Sequence, residues 1–406
     1  MFGSKQKNNS TAEATSRLED FDYLNPKSIY LDSACQSLRP KSVCAALQEY
    51  YTKYNACGGR VKYDWGQKVD EAIDEARGAV LRLLHLSSKD YVTSFTLNTT
   101  YGINLLLQQL PQGFYKRVIT SDIEHNSVFL PTMTLATRLG VERIVLSRTP
   151  TGELTYSSDQ LEKAIVVVNS TSNIDGRKLS SIKELVRDAH ERGGIVIIDA
   201  AQTMAHNHEM LIGCAADAIC FSAHKMYAPS LGVIVCRKSL LRSLDYQIVG
   251  GGMVSNVTEN NFKLASEDPA SQLEPGLQAF GEIIAFSQAL KWLDEIRPFS
   301  EDRSKYINSL GNELFEGLKT LPDVNVINAG PTSVVSLYSS KMDAHRLAIF
   351  LSSGGIMARS GYFCCHYYLR EKLNLPPLLR FSIGLNNTHQ DITTTINTVE
   401  KLMRSA

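Results

Sequence analysis

Short β-branched runs alternate with longer stretches of helical periodicity from about Tyr91 to Val235, the arrangement that builds a mostly parallel sheet covered by helices. The apolar runs predict strands at Tyr91–Phe95, Arg117–Thr120, Arg143–Leu146, Ile165–Asn169, Ile195–Asp199, Ala218–Phe221 and Gly232–Cys236. Lys68–Leu84 spaces Val69, Ile73, Ala76, Val80 and Leu83 three or four residues apart, and Thr99–Leu110 and Ser180–Arg192 also read as helices. From about Arg297 the pattern changes to a long helix, strands near Val324–Ile327 and Val334–Leu337, a helix at Ala344–Ser352, a strand ending at Ser382 and a final helix Thr388–Met403. This predicts a large α/β domain followed by a smaller α+β unit. The polar stretch Gly250–Gln272 lacks periodicity and is expected to be a functional or interface loop rather than a regular element. The expected divisions are a disordered start (1–16), a segment packing on the small domain (17–40), the large domain (41–296) and the small domain (297–406).

The length of 406 residues and a hydrophobic content of 43% suit two domains, each with its own core. Lys+Arg and Asp+Glu both total 42, so no whole-molecule field steers the chain toward nucleic acid or an anionic membrane. An anionic ligand must be met locally. The eight cysteines (Cys35, Cys44, Cys57, Cys214, Cys220, Cys236, Cys364, Cys365) lack the paired spacing of a disulfide framework or a zinc ribbon, which points to a reducing compartment. The start is rich in Lys, Asn, Ser and Thr without an apolar core, and no later stretch approaches ~18 uninterrupted apolar residues. A cytoplasmic protein is expected.

The chemistry gathers at predicted strand ends. Lys225 closes Phe221-Ser222-Ala223-His224-Lys225 directly after a strand, where doubly wound sheets bind ligands. A lysine on a rigid element and partly desolvated can form a Schiff base; a solvated lysine after a strand is the plain alternative. Asp199 and Gln202 follow the Ile195–Ile198 strand, where a carboxylate can keep a pyridinium nitrogen protonated and an amide can donate to a phenolate oxygen; Asp199 as a helix N-cap is the alternative. Asn98-Thr99-Thr100 opens a helix and offers hydroxyls and N–H groups to a phosphate, with Ser222 and His224 as further contacts, or serves as ordinary capping. His125, in Glu124-His125-Asn126 past another strand, can stack on a cofactor ring.

Taken in order, these motifs resemble the class V aminotransferase family, most nearly its cysteine desulfurases and selenocysteine lyases. The resemblance runs from Tyr30-Leu31-Asp32-Ser33-Ala34 through Asn387-Thr388-His389, with Ser222-Ala223-His224-Lys225 as its most specific segment. It implies the aspartate-aminotransferase-like fold type I of pyridoxal 5'-phosphate enzymes. It further implies Lys225 as the Schiff-base lysine, Asp199 on the ring nitrogen, Gln202 on the phenolate oxygen and His125 over the ring. Thr100, Ser222 and His224 are implied as phosphate contacts beside Thr99, and Asn173 as a ring or substrate contact. A homodimer acting on a cysteine-like amino acid is also implied.

Arg359-Ser360-Gly361-Tyr362-Phe363-Cys364-Cys365 resembles the desulfurase loop that carries the catalytic cysteine, and Cys364 is the matching position. A thiolate on a mobile loop can take sulfur from a bound cysteine, leaving a persulfide and alanine; two small buried hydrophobes are the alternative. Arg380, flanked by apolar residues, matches the arginine that binds a substrate α-carboxylate, and Arg359 is a further candidate for substrate binding. Two departures stand out: Leu277 replaces a threonine that would reach a partner subunit's phosphate, and Phe363 replaces the histidine usual beside the cysteine, with His366 further on. The expected activity is removal of sulfur or selenium from cysteine or selenocysteine; the alternative is an aminotransferase or C–S lyase without a persulfide. A non-catalytic protein binding metal or a partner through Cys364, Cys365 and His366 is the third reading, although three adjacent ligands fit one ion poorly. A sulfur-acceptor protein is an expected partner.

Overall fold

The computed structural model describes residues 19–59, 61–296 and 301–405, so the expectation for 1–16 lies outside the described residues. After β1 (Ile29–Tyr30), a seven-stranded sheet is formed by β2 (Tyr91–Thr96), β3 (Arg117–Ser121), β4 (Glu142–Leu146), β5 (Ala164–Asn169), β6 (Ile195–Asp199), β7 (Ala218–Ser222) and β8 (Gly232–Arg237). Its spatial order is β2-β8-β7-β6-β5-β3-β4, and only β8 runs against its neighbours. All seven predicted strands are present, each within a residue or so of its expected ends.

The β-branched runs form central strands because both faces are covered. Along β5, Val166 and Val168 join one apolar cluster with Ile198, Phe221 and Val233, while Ile165 and Val167 join the other with Ile197, Cys220 and Ile234. This alternation is the two-residue period of a strand. Helices Asp64–Leu83 and Phe280–Ile296 cover the first face, and Thr99–Gln108 and Asn126–Leu139 cover the second.

Within Gly250–Gln272 the structure corrects the expected loop: β9 (Val254–Val257) and β10 (Phe262–Leu264) form an antiparallel hairpin. Its residues are mostly exposed and its register is bulged between Lys263 and Leu264, so no buried face imposed an alternating pattern on the sequence.

The second sheet contains β11 (Val324–Val326), β12 (Val334–Ser339), β14 (Arg359–Gly361) and β15 (Leu378–Ser382), all antiparallel in the order β11-β12-β15-β14. Helices Glu301–Lys319, Ala344–Ser353 and His389–Ser405 accompany it. The early strand β1 pairs in parallel with β13 (Ile356–Met357), and Asp32 bridges to Ser382, bringing the start of the described chain against strands more than 300 residues later. Among the described residues, no helix is long and apolar enough to cross a membrane.

Candidate active site

The C-terminal ends of the parallel strands converge on one side of the large sheet. β2 leads into the helix at Thr99, β3 leads to His125, β5 ends at Asn169, β6 ends at Asp199, and β7 runs into the turn carrying His224 and Lys225. Together with Arg359, Cys364 and Arg380 from the second sheet and its loop, they line a cavity of about 340 Å³. Thr99, Thr100, Asn173, Gln202 and Ser222 also line it, so the residues expected to bind cofactor and substrate share this one space, whereas Cys365, His366 and Leu277 do not line it.

The electrostatics follow from burial. Enclosure lowers the Lys225 amine from its usual range; Asp199 opposes the shift and Arg380 adds to it. Asp199 is itself buried, which raises its carboxyl, while the Ala201 N–H, donating to Oδ1 at 2.9 Å, and Lys225 pull it back. The alternative role of Asp199 as a local cap is therefore present in one oxygen only. Burial drives both His125 and His224 down to about 4, helped in each case by Lys225. His125 caps the helix Asn126–Leu139: its Nδ1 accepts from the Ser127 N–H at 3.0 Å, which leaves the proton of the neutral ring on Nε2.

At the start of the helix Thr99–Gln108, hydroxyls form a connected patch. Thr99 Oγ1 meets Ser222 Oγ at 2.5 Å, and Thr100 Oγ1 meets Ser127 Oγ at 2.6 Å. Asn98 caps the same helix by accepting from the Tyr101 N–H. Gln202 Nε2 donates to the Ala34 carbonyl at 2.7 Å, which uses one of its two amide hydrogens.

These residues fit an aromatic cofactor with a ring nitrogen and a phosphate. His224 Nδ1, Asn169 Oδ1 and Arg380 Nε are buried polar atoms without a hydrogen-bond partner among the described residues, and all three belong to residues lining the cavity. Buried polar groups are rarely left so, and three around one cavity are what a polar ligand would satisfy. A buried carboxylate, a desolvated amine and a hydroxyl-rich helix N-terminus supply the matching chemistry.

The cysteine loop resolves two adjacent thiols. Phe363 and Cys364 both adopt left-handed backbone, with φ of 48° and 59°, a conformation unfavourable for side chains of this kind. The turn is held from the large sheet: Asn126 N–H donates to the Cys364 carbonyl at 2.7 Å, and Asn173 Nδ2 donates to the Phe363 carbonyl at 2.8 Å. Consequently Cys364 is exposed to the cavity, whereas Cys365 is 1% exposed among Ile123, Ile174 and Leu369. Burial raises the Cys365 thiol, which donates to Asn173 Oδ1 at 3.1 Å. Thus both ends of the Asn173 amide are committed to the loop, a role its position after β5 did not suggest.

Arg380 Nη1 donates to the Asn173 carbonyl at 2.9 Å, and its guanidinium lies 4.7 Å from the Phe363 ring centroid. Asp32 pairs with both Arg380 and Arg359. Asp32, Ser127, Asn169 and the cavity-lining Cys35 are site residues that the sequence reading did not single out. The Tyr30–Ala34 motif contained a signal for Asp32, since a carboxylate inside an apolar segment needs a buried partner.

A mostly parallel seven-stranded sheet with lysine and aspartate at its C-terminal edge, facing an α+β unit across one cavity, defines the fold type I class of pyridoxal-phosphate-dependent enzymes. Residues 29–394 match the class V aminotransferases, and the chain belongs to that family. It is 29% identical over 376 residues to a Pseudomonas aeruginosa protein named "probable cysteine desulfurase", covering 89% of this chain and 90% of the relative. It is 25% identical over 387 residues to an Escherichia coli cysteine desulfurase, covering 92% and 93% of the two chains. The apo structure of a cysteine desulfurase from Thermococcus onnurineus superposes with a TM-score of 0.83 at 27% identity, over 94% of this chain and 96% of that one. A cystine C–S lyase solved with its product cysteine persulfide shares the fold, with a TM-score of 0.78 at 17% identity over 92% of this chain and 97% of that one.

Proposed function

We propose that the protein is a pyridoxal-phosphate-dependent cysteine desulfurase, converting L-cysteine to alanine while Cys364 becomes a persulfide. The observation that carries this reading is the Cys364 thiol, turned into the cavity that Lys225 also lines while its neighbour Cys365 is buried. The names of its relatives support the same activity.

When bound, pyridoxal phosphate supplies an electron sink that weakens bonds next to the substrate amino group. Lys225 would hold it covalently, Asp199 would keep its ring nitrogen protonated, and the neutral His125 ring would cover one face. The hydroxyls of Thr99, Thr100 and Ser222 with His224 would hold the phosphate at the helix N-terminus. Because burial pulls its amine below the usual lysine range, Lys225 is suited to accept and return a proton. Arg380 would anchor the substrate α-carboxylate. The Cys364 thiolate Sγ would form a bond to the substrate sulfur as the carbon–sulfur bond breaks; the electron pair of that bond stays with carbon, which takes up a proton, so that one sulfur passes to the enzyme and alanine leaves.

A homodimer is part of the proposal. Leu277, at the tip of the Glu274–Gln278 turn, is 79% exposed, an apolar residue suited to a second copy and unable to hydrogen-bond a phosphate. A cytoplasmic location is proposed from the eight free cysteines, and a sulfur-acceptor protein from the accessible position of Cys364.

The test is the visible spectrum of the purified protein with pyridoxal phosphate before and after L-cysteine, with alanine, pyruvate and sulfide quantified. Alanine formation that requires Cys364 supports the desulfurase. Pyruvate and ammonia would instead point to β-elimination, and absence of any cofactor band would overturn the assignment.

A further inference from the structure

Asp32 lies just after β1, and its carboxylate meets both arginines that face the cavity. It accepts from Arg380 Nη2 through Oδ1 at 3.1 Å and from Arg359 Nε through Oδ2 at 3.0 Å. The geometry is set by backbone register: Arg359 on β14 stands opposite Arg380 on β15, and the bridge between Asp32 and Ser382 brings the carboxylate to the pair. The side chains of Arg380 and Asp32 are only 3% and 15% exposed, so solvent and salt screen this pair weakly. Two guanidinium groups against one carboxylate leave one net positive charge.

Donor capacity is left over as well. Arg380 Nε is buried without a partner among the described residues, and Arg380 and Arg359 both line the cavity whereas Asp32 does not. The arginines therefore line the ligand space while Asp32, outside that lining, offsets one of their two charges.

We propose that Asp32 is a specificity-determining residue: by pairing with both arginines it leaves the anchor suited to an amino acid with one carboxylate and an uncharged side chain, and disfavours acidic side chains. The inference rests on the desulfurase reading for the substrate class. Cysteine, with a neutral thiol, meets the requirement. An aspartate-like or sulfinate-bearing amino acid brings a second negative charge into the field of Asp32, which a bare pair of arginines would have welcomed.

The experiment measures binding of propionate and succinate to the holoenzyme by titration calorimetry and takes the ratio of the two dissociation constants. Asp32→Asn keeps the shape and removes the charge; it should shift the ratio toward succinate by roughly tenfold, the order expected of one unit charge a few ångströms away in a weakly screened site. Arg359→Gln should shift the ratio the other way, and it decides the question alone if Asp32→Asn does not fold. An unchanged ratio in a folded variant overturns the proposal. Alanine formation from cysteine by the unaltered enzyme does not enter this ratio, so failure of the desulfurase reading is seen separately.

Discussion

The two walls of the cavity are built by different physical means. On the large-sheet side, Asp199, Lys225, His125 and Thr99 stand where regular elements begin or end, so their positions follow from strand register and helix capping. On the other side, Cys364 sits in a left-handed turn held by hydrogen bonds to Asn126 and Asn173, far away in sequence. One wall is rigid because its backbone is part of a sheet. The other is placed by a few side-chain and backbone contacts, which puts the Cys364 thiol on a segment that can be released locally.

This contrast can be broken by substitution, and the largest effect is expected on the sheet wall. Lys225→Ala should abolish the covalent cofactor band and reduce cysteine turnover about 10³-fold or more. A variant that kept both would remove Lys225 from the chemistry. On the loop wall, Cys364→Ala should keep the band and lower alanine formation about 10²-fold. Cys365→Ala should keep most of the activity and lose about 1 kcal/mol of stability, read by denaturant unfolding. Reversed effects of the two cysteine variants would mean that the buried thiol is the reactive one.

Asn173→Ala sharpens the comparison by releasing the loop without touching the sheet. It leaves the Phe363 carbonyl and the Cys365 thiol without their partner, at about 1–3 kcal/mol of stability. Turnover should drop about tenfold with the cofactor band unchanged, because the thiol is misplaced while the cofactor wall is intact. Loss of the band in this variant would show that Asn173 serves the cofactor directly.

The smallest expected effect is on the pH dependence of the sheet wall. His125 and His224 are held neutral at about 4, below the ordinary 6.5. The unfolded chain therefore binds more protons than the folded one between these values. The stability tied to these rings is complete above about 6.5 and is lost as pH falls through 4. Thermal midpoints measured between pH 7 and 4 should fall, and His125→Gln should flatten that slope. An unaltered slope would mean that His125 is not the buried neutral group described here.

Much of the sheet wall was legible in the sequence because it depends on local signals. Apolar runs of five or six residues mark the strands, and the polar residues directly after them fall at the sheet edge by geometry alone. The hairpin β9–β10 was missed because its exposed residues carry no alternation. Asn173 was placed in the cavity by its motif, yet its engagement with Phe363 and Cys365 spans about 190 residues and left no local trace.

The sequence by itself determined the strand set, the order of the chemical motifs and the candidate lysine, carboxylate and thiols, since each follows from residue type and short-range spacing. Tertiary structure alone decided which of the two adjacent cysteines faces the cavity, what Asn173 holds, and that Asp32 pairs with both Arg359 and Arg380. Those outcomes depend on contacts between segments hundreds of residues apart, where burial and charge pairing are settled by packing rather than by neighbours along the chain.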